Sequence, residues 1–171
     1  MRIVAGTFAG RDLTSPNDFR VRPTAEHVRA ELLDMLRADV ANARVLDLFA
    51  GTGALGLEAI SCGALCADFV ETRPASLHAL RANVAALRLR ERTRVFKRDA
   101  LPFAAGLTAD TYDITFLDPP YGSRMLDRVL ESWRANRFSR ILAVEHAPTH
   151  ELPAGMDSRR FAESALTIYR L

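Results

Sequence analysis

Residues 45–56 have the sequence VLDLFAGTGALG, in which an apolar run passes directly into a glycine-rich turn. Gly51, Gly53 and Gly56 fit the pattern G-x-G-x-x-G, which opens a helix after a buried strand in nucleotide-binding folds. Glycine lets the backbone approach a ligand closely, because it has no Cβ. Glu71 lies twenty residues after Gly51, where a carboxylate can accept hydrogen bonds from both ribose hydroxyls. The stretch predicts a cofactor site, although a turn used only for tight packing has the same pattern.

The rest of the chain alternates short apolar segments with runs of helical periodicity, which is typical of an α/β protein. Strands are predicted at 45–49, 69–71, 95–99, 114–117, 141–144 and 165–169, the last one antiparallel to a neighbour. Helices are predicted from Thr24 as N-cap, at 54–61, at 74–87 and at 125–135. We expect one doubly wound domain over 23–171, preceded by a short hairpin or basic arm over 1–22.

Composition excludes several classes of protein. A chain of 171 residues predicts a single domain, and 49% hydrophobic residues are enough for a substantial core. The longest apolar run is too short to span a bilayer, and no signal peptide is evident, so we expect a cytoplasmic protein. Cys62 and Cys66 are the only cysteines, which excludes a disulfide framework or a zinc site and predicts reduced, partly buried thiols.

Asp47 bears on the identity of the cofactor. A carboxylate just before the glycine turn can pair with the ammonium group of the methionine part of S-adenosylmethionine, whereas it would repel the pyrophosphate of a dinucleotide. A carboxylate that only accepts hydrogen bonds from the turn amides is the alternative. The position therefore favours S-adenosylmethionine over NAD.

The most specific motif is Asp118-Pro119-Pro120-Tyr121, which directly follows the fourth strand. In a doubly wound sheet this turn lies at the carboxyl edge, beside the glycine turn. The two prolines remove two N–H donors and leave carbonyl oxygens and a carboxylate as acceptors. Such a rim suits the exocyclic amino group of a base, and Tyr121 offers a face on which an extruded base can stack. The alternative is a rigid turn that merely ends the strand.

Arginine supplies nearly all the positive charge, since Lys97 is the only lysine and the formal net charge is +2. Arginine suits bidentate phosphate contacts, although a compositional bias explains its abundance equally well. The candidate RNA-binding residues near the cofactor edge are Arg2, Arg11, Arg20, Arg22 and Arg124. The basic run at 88–94 is expected at the amino edge, away from the site. The four histidines form no ligand cluster, so we assign no metal.

These motifs together resemble the RsmD family, the bacterial 16S rRNA (guanine-N2) methyltransferases, across nearly the full chain. The segments that carry the resemblance are MRIVAG at 1–6, GR at 10–11, RPT at 22–24, VR at 28–29, VLDLFAGTGALGLEA at 45–59, DPPY at 118–121 and ALTIYR at 165–170. The resemblance implies a Rossmann-like, mostly parallel, seven-stranded methyltransferase sheet with S-adenosylmethionine as cofactor. It also implies a small-subunit rRNA substrate within the assembled or assembling 30S subunit, and we expect the enzyme to be a monomer.

The resemblance also implies roles for individual residues. The glycine turn would face the methionine part, Glu71 would hold the ribose, Asp99 and Ala100 would approach the adenine, and 118–121 would hold the target guanine. The cofactor-binding set is then Asp47, Phe49, Gly51, Thr52, Gly53, Glu71, Thr72, Asp99, Ala100 and Asp118. This chain departs from the family at Ala30, where Glu is usual, and at Phe161-Ala162, where Tyr-Gly is usual. Neither departure is expected to touch the methyl-transfer residues.

Other functions compete with this interpretation. A DNA adenine-N6 methyltransferase uses the same Asp-Pro-Pro-Tyr chemistry, but it should need a target-recognition domain, for which this chain leaves little room. A nicotinamide oxidoreductase would explain the glycine turn and would leave the Asp-Pro-Pro-Tyr motif without a role. A non-catalytic RNA-binding protein would leave the cofactor turn unused.

Overall fold

The computed structural model describes residues 1–16 and 24–171 and shows a seven-stranded sheet with helices on both faces. The strands are β1 (Arg44–Leu48), β2 (Cys66–Glu71), β3 (Thr93–Lys97), β4 (Tyr112–Leu117), β5 (Ser139–His146), β6 (Asp157–Arg160) and β7 (Ala165–Arg170). The α-helices are α1 (Glu26–Met35), α2 (Ala54–Ser61), α3 (Pro74–Ala86), α4 (Ala100–Ala105) and α5 (Met125–Asn136).

The strand order is β3-β2-β1-β4-β5-β7-β6. The first five strands of this order are parallel, and β7 pairs antiparallel with both β5 and β6. The order reverses between β1 and β4, which is where open α/β sheets bind ligands, outside the carboxyl ends of the strands. The predicted α/β class, the mostly parallel sheet and the antiparallel last strand are confirmed.

Two apolar cores cover the two faces of the sheet. One contains buried residues of α1, α2 and α3, and the other contains those of α4 and α5. Strands covered on both faces read as nearly continuous apolar runs, as β1 and β4 do. This burial fixes the sheet edge on which the glycine turn and the Asp118 turn lie side by side.

Two elements were not predicted from the pattern. The helix α4 has only six residues, and the side chain of Asp99 caps it by accepting a hydrogen bond from the backbone N–H of Leu101. The edge strand β6 consists of four exposed residues, so it has no apolar alternation to indicate a strand. A third difference lies at α1, whose N-cap is Ala25. The Thr24 hydroxyl instead donates a hydrogen bond to Asp118.

The N-terminal residues 1–13 form a small hairpin that packs on α2. Its backbone N–H groups at Val4 and Ala5 donate to the Glu58 carboxylate at 2.7 and 2.8 Å. The same carboxylate pairs with the guanidinium of Arg29 at 3.3 Å, and both side chains are fully buried. Ile3 is also buried, and it belongs to the same apolar core as the buried residues of α1, α2 and α3.

Within residues 1–16 and 24–171, no helix is both long and apolar enough to cross a membrane. Cys62 and Cys66 are free and partly buried, as predicted. Burial raises the pKa of both thiols.

Candidate active site

The glycine turn connects β1 to α2 through an unusual backbone. Gly51 and Gly53 have φ angles of 55° and 80°, in the left-handed region where glycine carries no steric penalty. Phe49 also has a positive φ, 64°, although it is not glycine. Gly53 serves as the N-cap of α2, and a Cβ there would stand 2.2 Å from a methyl carbon of Leu80. The turn therefore needs glycine for both its conformation and its packing.

Asp47 lies at the end of β1, beneath this turn. Its carboxylate is 2% exposed and accepts a hydrogen bond from the N–H of Gly56 at 3.0 Å. Burial raises its pKa to about 7, and the nearby charge of Glu71 acts in the same direction. A cationic ligand group beside Asp47 would therefore favour the ionised carboxylate.

A small cavity of about 70 Å³ opens beside Asp47. Its lining contains the predicted residues Asp47, Phe49, Gly51, Thr52 and Asp118, together with Thr24, Ala50, Ala54, Leu55 and Arg73. A buried acid next to the turn backbone that lines the cavity matches the polar amino-acid end of S-adenosylmethionine. The donor and acceptor groups here therefore fit that cofactor.

The Glu71 carboxylate, at the end of β2, contacts the backbone of the glycine turn. It accepts hydrogen bonds from the backbone N–H groups of Gly51, Thr72 and Arg73, each at 2.8 Å. The carboxylate is thus held rigidly at the tip of β2, where the spacing predicted a ribose acceptor. The loop of Asp99 and Ala100 follows the neighbouring strand β3 at the same edge of the sheet.

The Asp118 turn follows β4 at the same edge. The Thr24 hydroxyl donates to the Asp118 carboxylate at 2.8 Å, and the Tyr121 hydroxyl lies 3.4 Å from Glu145 Oε1. The Pro120 carbonyl accepts hydrogen bonds from both the N–H and the hydroxyl of Ser123. The Pro120 carbonyl is therefore used within the turn, and the Asp118 carboxylate is held in place by Thr24.

A larger cavity of about 390 Å³ lies directly next to the small one. Thr24, Arg73 and Asp118 line both cavities. The rest of the larger lining consists of Ala25, His27, Val28, Pro119, Pro120, Tyr121, Glu145, Phe161, Ala162, Glu163 and Ser164. Asp118 therefore stands at the junction of a cavity suited to the cofactor and one large enough for a base.

The chain is similar to known methyltransferases along nearly its whole length. The family model described as conserved hypothetical protein 95 matches residues 1–169. Ribosomal RNA small subunit methyltransferase D of Escherichia coli (strain K12) is 36% identical over 158 residues, which are 90% of this chain and 78% of that protein. The chain belongs to the RsmD family.

Other similar proteins support this assignment. The protein of the same name from Haemophilus influenzae is 29% identical over 153 residues, covering 88% of this chain and 79% of that one. The structure titled putative methyltransferase YhhF from Escherichia coli superposes with a TM-score of 0.87 at 30% identity, over 99% of this chain and 97% of that one. A hypothetical protein of Thermus thermophilus gives a TM-score of 0.84 at 31% identity, over 100% of this chain and 99% of that one. The methyltransferase fold is thus confirmed.

One of the two departures from the RsmD pattern lies at the larger cavity. Phe161 and Ala162 line the larger cavity together with Asp118 and Tyr121, and the ring of Phe161 contacts that of His27. The expectation that this pair does not touch the methyl-transfer residues stays a prediction. Ala30 lies on α1 and is absent from the lining of either cavity.

Several residues of the larger cavity were missed by sequence analysis, among them Arg73, Glu145 and Ser164. Arg73, Glu145 and Ser164 belong to no motif that the sequence pattern singles out, and they come from three separate parts of the chain. Only one indirect signal existed for Glu145, namely its place at the end of the predicted fifth strand. In a parallel sheet, that end lies beside the Asp118 turn.

The candidate RNA-binding arginines of this RsmD-family chain are scattered. Arg124 immediately precedes α5 and is exposed at the carboxyl edge. Arg2 is exposed next to Glu26, with 3.5 Å between their charged atoms. Arg11 donates to the carbonyl of Ala86, the last residue of α3, at 3.4 Å. Arg20 and Arg22 lie outside the described residues.

The basic run at 88–94 lies at the amino edge, as expected, between α3 and β3. Arg92 donates to the carbonyls of Ala64 and Leu65, and Arg94 forms an ion pair with Asp68 at 2.6 Å. These two arginines therefore support the sheet. Among the residues that the structure describes, no group of His, Cys, Asp and Glu is arranged to hold a metal ion.

Proposed function

We propose that the protein transfers a methyl group from S-adenosylmethionine to the exocyclic N2 amine of a guanine in small-subunit ribosomal RNA. The observation that carries this proposal is the position of Asp118 between the two adjoining cavities. A hydrogen-bond acceptor at that junction can hold the amine of a base against the cofactor. Membership in the RsmD family supports the choice of RNA as substrate.

The cofactor would be held along the carboxyl edge by residues of the smaller cavity and its neighbours. Asp47 would pair with its ammonium group, Glu71 would accept hydrogen bonds from its ribose, and Asp99 with Ala100 would border its adenine. Phe49, Gly51, Thr52, Gly53 and Thr72 supply the surrounding backbone. When bound, S-adenosylmethionine supplies a methyl group attached to a positively charged sulfur. The sulfur keeps the electron pair when the S–C bond breaks.

The chain then contributes orientation to the reaction. Asp118 and the Pro119 carbonyl accept hydrogen bonds from the two amino hydrogens, which turns the N2 lone pair toward the methyl group. Tyr121, which is 40% exposed, provides a face for the base. The lone pair forms the new N–C bond, and one N2 proton passes to solvent. No strongly basic residue is required, so the rate gain comes mainly from proximity and alignment.

The adenine-N6 alternative is not favoured, because the named relatives are methyltransferases of ribosomal RNA. We further propose a cytoplasmic monomer that acts on the assembled or assembling 30S subunit. A substrate of this size supplies its own shape, so the enzyme needs no separate recognition domain.

The proposal is tested with radiolabelled S-adenosylmethionine on three substrates: small subunits that lack the modification, deproteinised rRNA and duplex DNA. Mass spectrometry then identifies the labelled nucleoside. We expect N2-methylguanosine from the subunits and no label in DNA. Label in N6-methyladenine would reassign the protein to the DNA class, and label in any nucleoside other than guanosine would overturn the proposal.

A further inference from the structure

We propose that Glu145 determines base specificity by accepting a hydrogen bond from N1–H of the target guanine, next to the amine held by Asp118. This inference deepens the proposed function and rests on it. It assigns the choice of guanine to one side chain, which belongs to none of the sequence motifs.

Strand register brings Glu145 beside Asp118. The strands β4 and β5 are parallel, and Leu117 is paired with Val144. The residue after Leu117 is Asp118, and the residue after Val144 is Glu145. Neighbouring strands lie about 4.8 Å apart, so the two residues are neighbours at the sheet edge. Both side chains line the larger cavity.

The surroundings of Glu145 limit how it can interact with a base. The residue is 6% exposed, and its Oε1 lies 3.4 Å from the Tyr121 hydroxyl. Glu145 and Tyr121 both line the larger cavity. A base that stacks on Tyr121 and offers its amine to Asp118 would therefore direct its adjacent ring edge toward Glu145.

The hydrogen-bonding edges of the bases explain why a carboxylate selects guanine. Guanine presents N1–H next to its N2 amine, so two neighbouring donors face two neighbouring acceptors. Adenine presents an unprotonated N1 next to its amine, and its lone pair would face a carboxylate that has no hydrogen to donate. Two acceptors that face each other with no hydrogen between them repel, so this arrangement is unfavourable. The pair of carboxylates thus favours guanine and rejects bases with an N1 acceptor.

The test compares guanine with 2-aminopurine, which keeps the amine at C2 but has an N1 acceptor. A synthetic segment carrying either base at the labelled position is ligated into the rRNA, which is then assembled into subunits. We measure kcat/KM for wild type and for Glu145→Gln on both substrates. The glutamine amide can accept from N1–H or donate to an N1 acceptor.

Wild type should prefer guanine over 2-aminopurine by about a hundredfold or more. In Glu145→Gln, kcat/KM for the guanine substrate should fall about tenfold or more. The preference of this variant for guanine over 2-aminopurine should be about fivefold or less. Glu131→Gln, an exposed change on α5, should keep the wild-type preference. Affinity for S-adenosylhomocysteine, measured by calorimetry, should be the same in all three proteins.

Two results would overturn the proposal. One is equal methylation of guanine and 2-aminopurine by wild type, which needs no variant and is independent of folding. The other is a variant that loses the same factor on both bases, because a structural role would produce that. Failure of wild type to methylate guanine at all would instead overturn the proposed function, so the two failures are distinguishable.

Discussion

Asp118 is the residue on which the proposed reaction depends most directly, since it borders both cavities. We expect Asp118→Ala to abolish methyl transfer, because the amine of the base loses its principal acceptor. Affinity for S-adenosylhomocysteine should change by less than about tenfold, or ~1.4 kcal/mol. Single-turnover assays and calorimetry measure the two quantities. Asp157→Ala on the exposed edge strand is the control, and wild-type turnover by Asp118→Ala would refute the role.

Asp47 predicts a pH dependence of cofactor binding. Burial raises its pKa to about 7, so the carboxyl is mostly neutral at pH 6 and mostly ionised at pH 8. Only the ionised form can pair with the ligand ammonium group. Affinity for S-adenosylhomocysteine should therefore rise about tenfold over this range. Calorimetry on Asp47→Asn should show no such rise, and a parallel rise in both proteins would exclude Asp47 as the titrating group.

The same raised pKa has the opposite effect on the unliganded fold. The folded chain holds the Asp47 proton more tightly than the unfolded chain, in which the pKa is near its ordinary value of 3.8. The stabilisation from this group is complete below about pH 4 and is lost as the pH rises through about 7. Denaturation of Asp47→Asn should show its free energy of unfolding increasing relative to wild type between pH 4 and pH 8.

At the scale of elements, the Arg29–Glu58 ion pair joins the N-terminal hairpin, α1 and α2. Both side chains are fully buried, and Arg29 also donates to the carbonyls of Thr24 and Arg2. Glu58→Gln would leave the guanidinium buried without its countercharge. We expect the free energy of unfolding to fall by about 3–5 kcal/mol, as measured by urea denaturation.

The control for this change is Asp34→Asn, which removes one partner of an exposed pair with Arg37. Exposed pairs contribute at most about 1 kcal/mol, so this variant should be nearly as stable as wild type. Amide exchange at Val4 and Ala5 should increase in Glu58→Gln, because both N–H groups donate to this carboxylate. Equal stability of the two variants would show that the buried pair does not anchor the hairpin.

The sequence pattern correctly predicted elements that are specified by their own residues and by the residues directly next to them. The helix α2 starts and ends as predicted, because the glycine turn precedes it and Gly63 follows it. The strand β6 was missed because its four residues are exposed and are held only by pairing with β7. Such a strand is stabilised by pairing with its neighbour, and its own sequence contains no periodicity that indicates this pairing.

At the scale of the whole molecule, the position of each arginine matters more than the formal charge of +2. Arg124 stands at the start of α5 beside the Asp118 turn, and Arg134 lies in the last turn of the same helix. We expect Arg124→Ala to raise KM for the small subunit about threefold or more and to weaken its salt dependence. Arg134→Ala should leave both near wild type, and equal effects of the two would contradict binding at the carboxyl edge.

The sequence by itself determined the α/β class, the cofactor turn and the Asp-Pro-Pro-Tyr turn. Each is recorded by residues close together in the chain: glycines in a tight turn, prolines that remove donors, and acids at the ends of apolar runs. For the same reason Asp47, Glu71 and Asp118 stand out as candidate site residues from their local sequence alone.

Only the tertiary structure decided what surrounds these motifs. Thr24 reads as a helix cap in the sequence, yet its hydroxyl bonds Asp118, which is 94 residues away. Glu145 lies beside Asp118 only because β4 and β5 pair in one register. Phe161 completes the same cavity from the segment between β6 and β7. Contacts between distant parts of the chain depend on register and packing, which no local periodicity encodes.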